Sequence, residues 1–146
     1  MSELVKPHGG ALKPLLATAV ERAETLTHAA GLAQIPLSSR EVSDLLMLSM
    51  GAYSPLAGFM GHDDWHGVCT DMQLKDGLFW PIPITLSCSS ELAAGLKLGD
   101  EVALVDGEAG TIMALMTLEE KYQIDKALEC RSVFRTEDPA HPGVEK

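Results

Sequence analysis

The strongest strand signal in this sequence is the pair of runs Glu101-Val102-Ala103-Leu104-Val105-Asp106 and Thr111-Ile112-Met113-Ala114-Leu115-Met116-Thr117. Both runs are apolar, and a short glycine-containing connection at residues 107–110 separates them. This pattern predicts an antiparallel β-hairpin. Alternate apolar positions in the two runs are expected to fill the core of a small barrel instead of lining a ligand cavity. These positions are Val102, Leu104, Ile112, Ala114 and Met116.

Helical patterns lie on both sides of this pair of runs. Apolar residues recur at three- and four-residue steps within 15–26, which predicts an amphipathic helix ending near Gly31. Ser38 and Glu41 have the spacing of a capping box, so a second helix is expected at residues 39–50. Its many apolar residues suggest packing on two sides. Further helices are predicted at residues 63–72, 89–96 and 125–134.

Prolines interrupt the remaining apolar runs. Pro36 breaks the run Ile35-Pro36-Leu37, which is interpreted as an extended connector. Within residues 78–86, Pro81 and Pro83 exclude a helix, while the β-branched residues between and after them favour strands. Asp76-Gly77 and Gly99-Asp100 predict turns. Helices followed by neighbouring strands predict one α+β domain over residues 1–146, built on a small barrel.

The composition excludes several functional classes. The chain has 146 residues, 46% hydrophobic and 22% charged, which is typical of a packed globular domain. Its net charge is -10 and its basic residues are scattered, so we expect no nucleic-acid partner. No apolar run approaches the roughly 18 residues that a membrane span needs, so we expect no membrane partner and a cytoplasmic location. Cys69, Cys88 and Cys130 are widely spaced, which favours reduced and mostly buried thiols.

Two segments combine chain-bending residues with large apolar ones. They are Gly51-Ala52-Tyr53-Ser54-Pro55-Leu56-Ala57-Gly58-Phe59-Met60 and Thr136-Glu137-Asp138-Pro139-Ala140-His141-Pro142-Gly143-Val144. Such loops are expected to be pinned to a neighbouring surface. A nucleophilic role for Ser54 is disfavoured, because Pro55 removes the backbone amide that would serve as an oxyanion donor. We expect Phe59 and Met60 to anchor the loop, and Gly58 to adopt a backbone angle that other residues resist.

The histidines offer weaker candidates for chemistry. His62 and His66 are four residues apart, so a helix places both imidazoles on one face, where they could ligate zinc. Only two ligands are indicated where three are required, so no metal site is predicted. His8 and His141 could each act as a general base. A buried imidazole that bonds a backbone carbonyl and fixes its loop is the favoured interpretation for both.

Four separated segments, in order, resemble the amino-terminal domain of the ATP sulfurylase (sulfate adenylyltransferase) family. They are Pro7-His8-Gly9-Gly10, the Gly51–Met60 segment, Trp80-Pro81-Ile82-Pro83-Ile84 and the Thr136–Val144 segment. The resemblance implies a small PUA-like pseudo-β-barrel with several flanking helices. It also implies a parent enzyme that transfers the adenylyl group of ATP to sulfate, or runs in reverse, with ATP and Mg²⁺. The family's catalytic Gln-x-Arg-Asn motif cannot occur here, because the chain contains no asparagine.

The resemblance therefore implies a scaffold with no catalytic residue and no cofactor of its own, in a parent enzyme expected to be a homo-oligomer. Its partner would be the catalytic domain of the same enzyme. The expected inter-domain interface consists of Ser54, Pro55, Leu56, Gly58, Phe59, Met60, His141, Pro142 and Gly143. Two alternatives remain: a stand-alone PUA-like module that binds RNA, and a metal-dependent enzyme that uses His62, His66 and an aspartate.

Overall fold

The computed structural model describes residues 4–145, which form two compact units. Unit 1 comprises residues 4–59 and 86–119, and unit 2 comprises residues 60–85 and 120–145. The elements are α1 (Ala19–Ala29), β1 (Ala33–Leu37), α2 (Ser39–Ser49), α3 (His62–Asp71), α4 (Ser90–Gly95), β2 (Glu101–Asp106), β3 (Ile112–Thr117), α5 (Lys126–Glu129) and a π-helix (Cys130–Phe134). This mixture confirms the predicted α+β class. None of the helices in the described part of the chain is long and apolar enough to cross a membrane.

The sheet of unit 1 has the order β1-β2-β3. β2 pairs with β3 in antiparallel fashion, which confirms the predicted hairpin, and with β1 in parallel fashion. Because β2 is the central strand, it is buried on both faces. Val102 and Leu104 join the main core cluster on one face. Ala103 and Val105 pack on the other face with Ala29, at the end of α1.

A bulge in β3 makes part of the core differ from the prediction. Leu104 pairs with Ala114, but the next residue of β2, Val105, pairs with Ile112. One residue of β3 is therefore skipped, and the side chains before and after it exchange faces. Ile112 consequently packs on the Ala29 side, while Ala114 and Met116 lie against the main cluster. The prediction that all three share one face was wrong for Ile112.

The segment interpreted as a connector is a strand. β1 includes Pro36, which pairs in register with Val105. A proline lacks the N–H that a central strand must donate on one of its two sides, but an edge strand tolerates it. β1 is such an edge, and its side chains Ile35 and Leu37 are both only 2% exposed. Pro36 therefore restricts the position of the strand in the sheet without preventing pairing.

The helices of unit 1 follow the predicted pattern with two differences. The capping box of Ser38 and Glu41 is present and α2 ends before Gly51, as predicted. α1 begins only at Ala19, because Thr18 and Glu21 form a second capping box that the periodicity concealed. α2 is not packed on two sides. Two of its apolar side chains, Leu46 and Met47, are exposed, as is Met50 at its C-cap.

Unit 2 contains α3, α5 and the π-helix. α3 lies within one residue of the predicted helix and ends at Met72, which adopts a left-handed conformation with φ 53°. The predicted helix at 125–134 is present, but its second half widens into the π-helix. The strand predicted around Ile84 is absent from the described residues. The backbone of this segment instead bonds to a single residue: the Met60 amide donates to the Ile84 carbonyl at 2.8 Å.

Candidate functional site

The loop at residues 51–59 is tied to the amino-terminal arm of unit 1. The Ser54 hydroxyl donates to the Gly51 carbonyl at 2.6 Å and accepts from the Lys13 amide at 2.8 Å. Gly51 has a φ of +80°, and a Cβ atom there would lie 3.1 Å from the backbone nitrogen of Pro14. Ser54 is only 4% exposed. Its hydroxyl therefore holds the loop to the arm.

The structure brings two of the sequence segments together. A Cβ atom built on Gly9 would lie 2.8 Å from Cγ of Pro55, so the Pro7-His8-Gly9-Gly10 segment lies directly against the Ser54-Pro55 segment. Gly9 also has a φ of +72°, a conformation that favours glycine. His8 is exposed, so the expectation of a buried imidazole was wrong at this position.

The expected interface residues differ in accessibility. In unit 1, Ser54 and Leu56 are buried, whereas Pro55, Gly58 and Phe59 are partly exposed. Gly58 does not have a positive φ, and a Cβ atom there would meet open space. The expected special backbone angle was therefore wrong for Gly58, and Gly51 has that property in the same loop. Among the expected interface residues of this loop, those that another domain could contact directly are therefore Pro55, Gly58 and Phe59.

A buried carboxylate that the sequence marks only as a helix cap organises the same unit. Glu41 is 1% exposed. One of its oxygens accepts from the amide and hydroxyl of Ser38 at 2.9 and 2.7 Å, and the other accepts from the amide and hydroxyl of Ser87, both at 2.7 Å. Desolvation opposes ionisation of Glu41, but these hydrogen bonds outweigh it and lower the pKa of the carboxyl group. The capping signature gave no indication of Ser87.

A second carboxylate on α2 holds the loop through Tyr53. The Tyr53 hydroxyl donates to Oδ1 of Asp44 at 3.2 Å, and Arg40 donates to Oδ2 at 3.3 Å. Burial raises the pKa of Asp44, and the nearby Arg40 charge reduces but does not cancel this effect. The Tyr53 hydroxyl and the Asp44 carboxylate thus bond to partners within unit 1.

The two candidate zinc ligands belong to an aromatic cluster in unit 2. The rings of His62 and His66 are stacked with centroids 6.0 Å apart, and His62 meets Tyr122 edge-on at 5.6 Å. Nδ1 of His62 lies 3.4 Å from a carboxylate oxygen of Asp63. Among residues 4–145, no group of three or more histidines, cysteines, aspartates or glutamates is arranged to hold a metal ion. The pair therefore has an aromatic packing role in the structure.

Two hydrogen bonds hold the aromatic side chains of this cluster in place. The indole nitrogen of Trp65 donates to Oε2 of Glu129 at 2.6 Å, and the Tyr122 hydroxyl donates to the Met60 carbonyl at 2.7 Å. Burial, followed by the nearby Glu120, raises the pKa of Tyr122. Burial, followed by the Glu129 charge, raises the pKa of Cys69 to about 11. No short-range sequence pattern predicts these contacts, because they join residues that lie far apart in the chain.

The three cysteines have different environments. Cys69 is buried, Cys130 is partly buried and Cys88 is exposed, and all three are free. The expectation of mostly buried thiols was therefore wrong for Cys88. A thiol as strongly protonated as Cys69 is a poor nucleophile at neutral pH, so its role is to fill the core.

The carboxyl-terminal turn is held by an aromatic ring. The ring centroids of Phe134 and His141 are 5.2 Å apart, and a Cβ atom on Gly143 would lie 2.6 Å from Cε1 of Phe134. The Gly143 amide donates to Nδ1 of His141 at 3.1 Å. His141 therefore fixes its loop as expected, but it is only partly buried, and its ring accepts from an amide where a bond to a carbonyl was predicted. Pro142, between them, is exposed.

The polar side chains of the described residues are satisfied within the chain. No buried side-chain nitrogen or oxygen in the described part lacks a hydrogen-bond partner. Catalytic sites commonly keep polar groups available for a substrate, and the clusters around Glu41 and Trp65 do not.

Known proteins match the chain over most of its length. A family model described as PUA-like domain matches residues 5–146. The sulfate adenylyltransferase of Chlorobium chlorochromatii is 57% identical over 143 residues, covering 97% of this chain and 35% of that relative. The sulfate adenylyltransferase of Thiobacillus denitrificans is 52% identical and the match covers 99% and 35%. A solved structure described as hexameric APS kinase from Thiobacillus denitrificans has a TM-score of 0.71 and 39% identity, covering 84% of this chain and 24% of that one. The chain thus spans about a third of the length of the curated relatives it matches.

Proposed function

The chain belongs to the PUA-like domain family, and from this we propose that it is the amino-terminal structural domain of a sulfate adenylyltransferase. The observation that carries the proposal is the match to relatives of that name, at 57% and 52% identity over 97% and 99% of the chain. The parent reaction would join sulfate to the adenylyl group of ATP and release pyrophosphate, or run in reverse. We further propose a cytoplasmic parent enzyme that assembles into an oligomer, a proposal supported by the hexameric state given for the similar APS kinase structure.

The proposed role of this chain is to support the part of the enzyme that performs the chemistry. Adenylyl transfer depends on positive charge and metal ions around phosphates, and this chain has 11 basic residues against 21 acidic ones. Residues 4–145 also offer no cluster that would hold Mg²⁺. We therefore assign the binding of ATP and Mg²⁺ to the rest of the parent enzyme, and no catalytic step to this segment.

We propose that the partly exposed residues of the two loops contact the catalytic domain. They are Pro55, Gly58 and Phe59 of unit 1 and His141 and Gly143 of unit 2, together with the exposed Pro142. The buried Ser54 and Leu56 would act indirectly, by fixing the backbone of the first loop, and Met60 is buried within unit 2. A pre-formed loop loses less conformational entropy when it docks, so internal hydrogen bonds such as that between Ser54 and Lys13 favour this use.

A chimera tests the proposal. The chain is joined to the remaining, carboxyl-terminal part of the Chlorobium chlorochromatii relative, and sulfate-dependent pyrophosphate release is measured from ATP. We expect release from the chimera and none from the isolated chain. Release from the isolated chain, or an inactive but folded chimera, would contradict the proposal.

Variants of the chimera test the interface. Phe59→Ala and His141→Ala are expected to lower the melting temperature of the chimera more than its sulfate affinity. Ala109, exposed in the hairpin loop, provides a matched surface control as Ala109→Ser. Unchanged melting together with lost sulfate affinity would place these residues at the substrate instead.

A further inference from the structure

The beginning of α1 presents an apolar surface that the described residues leave uncovered. α1 has 11 residues, but Ala29 at its end is the buried one. A helix of this length draws most of its stability in proteins from packing an apolar face. Val20 in its first turn is 79% exposed, and Leu16 just before the helix is 70% exposed. This end of the helix therefore lacks the packing partner that its sequence is suited to.

The end of α2 places further apolar side chains at the same location. The Leu15 amide donates to the Ser49 carbonyl at 2.8 Å, which brings the amino-terminal arm beside the last turn of α2. Leu46 and Met50 lie one helical turn apart there and are 46% and 56% exposed. Leu15 itself is 46% exposed. We refer to Leu15, Leu16, Val20, Leu46 and Met50 as the arm surface.

The arm surface is held in place by backbone contacts. The Lys13 amide bonds the buried Ser54 hydroxyl, and Gly51 makes close contact with Pro14. These contacts fix the arm against the loop that follows α2, immediately before Leu15. Several exposed apolar side chains close to a fixed stretch of backbone are typical of an interaction site. The surface is therefore pre-formed for a partner.

We propose that the arm surface docks intramolecularly on an apolar face of the part of the parent enzyme that this chain does not contain. The inference rests on the proposed function and adds a second contact region to its two loops. Five side chains of this exposure present on the order of 400 Å². A stable interface between separate chains buries about 800 Å² on each partner. A surface of half that size suffices within one polypeptide, where the effective concentration reaches the millimolar range.

Methionine oxidation measures the docking directly. Hydrogen peroxide oxidation of Met50 is followed by mass spectrometry in the isolated chain and in the chimera. Met72 of unit 2, which is 43% exposed, serves as the internal control. We expect Met50 to be oxidised at least about fivefold more slowly in the chimera, and the Met72 rate to change less than about twofold. An unchanged Met50 rate, or equal slowing at both sites, would overturn the proposal.

Substitutions on the arm surface provide the second test. Leu16→Ser combined with Val20→Ser should restore rapid Met50 oxidation in the chimera, with little change in the melting of the isolated chain. Leu98→Ser, which removes a 61% exposed leucine elsewhere in unit 1, is the matched control. If the double variant destabilises the isolated chain, Leu16→Ser alone repeats the test, because Leu16 precedes the helix. Full retention of Met50 protection in the variants would overturn the proposal.

Protein concentration and pyrophosphate release distinguish a second copy of the chain from the intramolecular partner. Oxidation of the isolated chain is repeated over a range of protein concentrations, and protection that increases with concentration would assign the surface to a second copy and overturn the intramolecular assignment.

A chimera that releases pyrophosphate but leaves Met50 unprotected would overturn this inference alone, whereas an inactive chimera with protected Met50 would contradict only the proposed function. If the chimera does not fold, the two parts are mixed as separate chains at high concentration, and an unprotected Met50 there overturns the inference.

Discussion

The carboxylate of Glu41 accepts hydrogen bonds from both the amide and the hydroxyl of Ser87, each at 2.7 Å. Glu41 begins as an ordinary helix cap for α2, yet the contact with Ser87 joins α2 to the chain segment that precedes α4. A single buried charge therefore links two segments of unit 1 that lie far apart in the sequence.

Replacing this charge should destabilise the domain. Glu41→Gln keeps the shape of the side chain but leaves two of the four Ser38 and Ser87 donors, the amide and the hydroxyl of one serine, facing an NH2 group. Hydrogen bonds to charged groups contribute about 1.5–3 kcal/mol, so we expect a loss of about 2 kcal/mol in the free energy of unfolding. Urea denaturation measures it. Glu91→Gln, at an exposed position of α4, is the control, and equal losses in both variants would contradict the assignment.

The same carboxylate should make stability depend on pH. The folded pKa of Glu41 is lowered below its usual value of 4.5, so the unfolded chain binds more protons in the interval between the two pKa values. The contribution of Glu41 is therefore complete above about pH 4.5 and is lost as the pH falls through the folded pKa. The difference in unfolding free energy between wild type and Glu41→Gln should shrink over this interval. A constant difference from pH 6 to pH 3 would contradict it.

Asp44 should act in the opposite direction. Its folded pKa is raised above 3.8, mainly by burial, so its contribution is complete below that value and is lost as the pH rises through the folded pKa. Asp44→Asn removes this titration while keeping an acceptor for the Tyr53 hydroxyl. The free energy of unfolding of the variant, measured by urea denaturation, should therefore lack the decline that Asp44 causes in the wild type as the pH rises above 3.8.

The cysteines should react in a fixed order. At pH 8, an aromatic disulfide reagent should modify the exposed Cys88 first, whereas Cys69, buried and with its pKa raised to about 11, should react only after unfolding. Mass spectrometry of the labelled peptides identifies each site. Cys88→Ser is the control that should remove the fast phase. Rapid labelling of Cys69 in the native protein would show that this thiol is accessible and readily ionised.

The carboxyl-terminal turn should not tolerate a larger residue at Gly143. An alanine Cβ would lie 2.6 Å from the Phe134 ring, so Gly143→Ala must displace that ring or the turn, at about 1–3 kcal/mol. Gly95→Ala is the matched control, because a Cβ atom at Gly95 meets open space and the change favours α4. Thermal unfolding compares the two variants. Equal melting temperatures would mean that the turn absorbs the methyl group freely.

The sequence predicted the elements whose signals are local. The hairpin of β2 and β3 and the capping box of α2 depend on residues within a few positions of one another, and both are present. β1 was missed, because Pro36 forbids only a central position and the strand order is not a local property. The altered face of Ile112 was missed for the same reason, since the bulge arises where β3 adapts to the neighbouring strand.

For the candidate site, sequence patterns located the two loops but not what holds them. The absence of a catalytic role for Ser54, inferred from the proline that follows it, stays a prediction. Its actual partners, Lys13 and Gly51, could not be inferred, because one of them lies 41 residues away. Trp65 and Glu129 are separated by 64 residues, and their contact likewise has no pattern in the sequence. The contacts of the loops with a catalytic domain stay predictions.

The parallel pairing of β1 with β2 has a consequence for synthesis on the ribosome. Ile35 pairs with Leu104, so after Ile35 nearly half of the chain must still be translated before the first strand meets its neighbour. Because synthesis proceeds at roughly 5–20 residues per second, that strand remains unpaired, with its apolar side chains uncovered, for several seconds. During this time the nascent polypeptide exposes an unpaired apolar strand. The proline within that strand limits its pairing with other emerging chains.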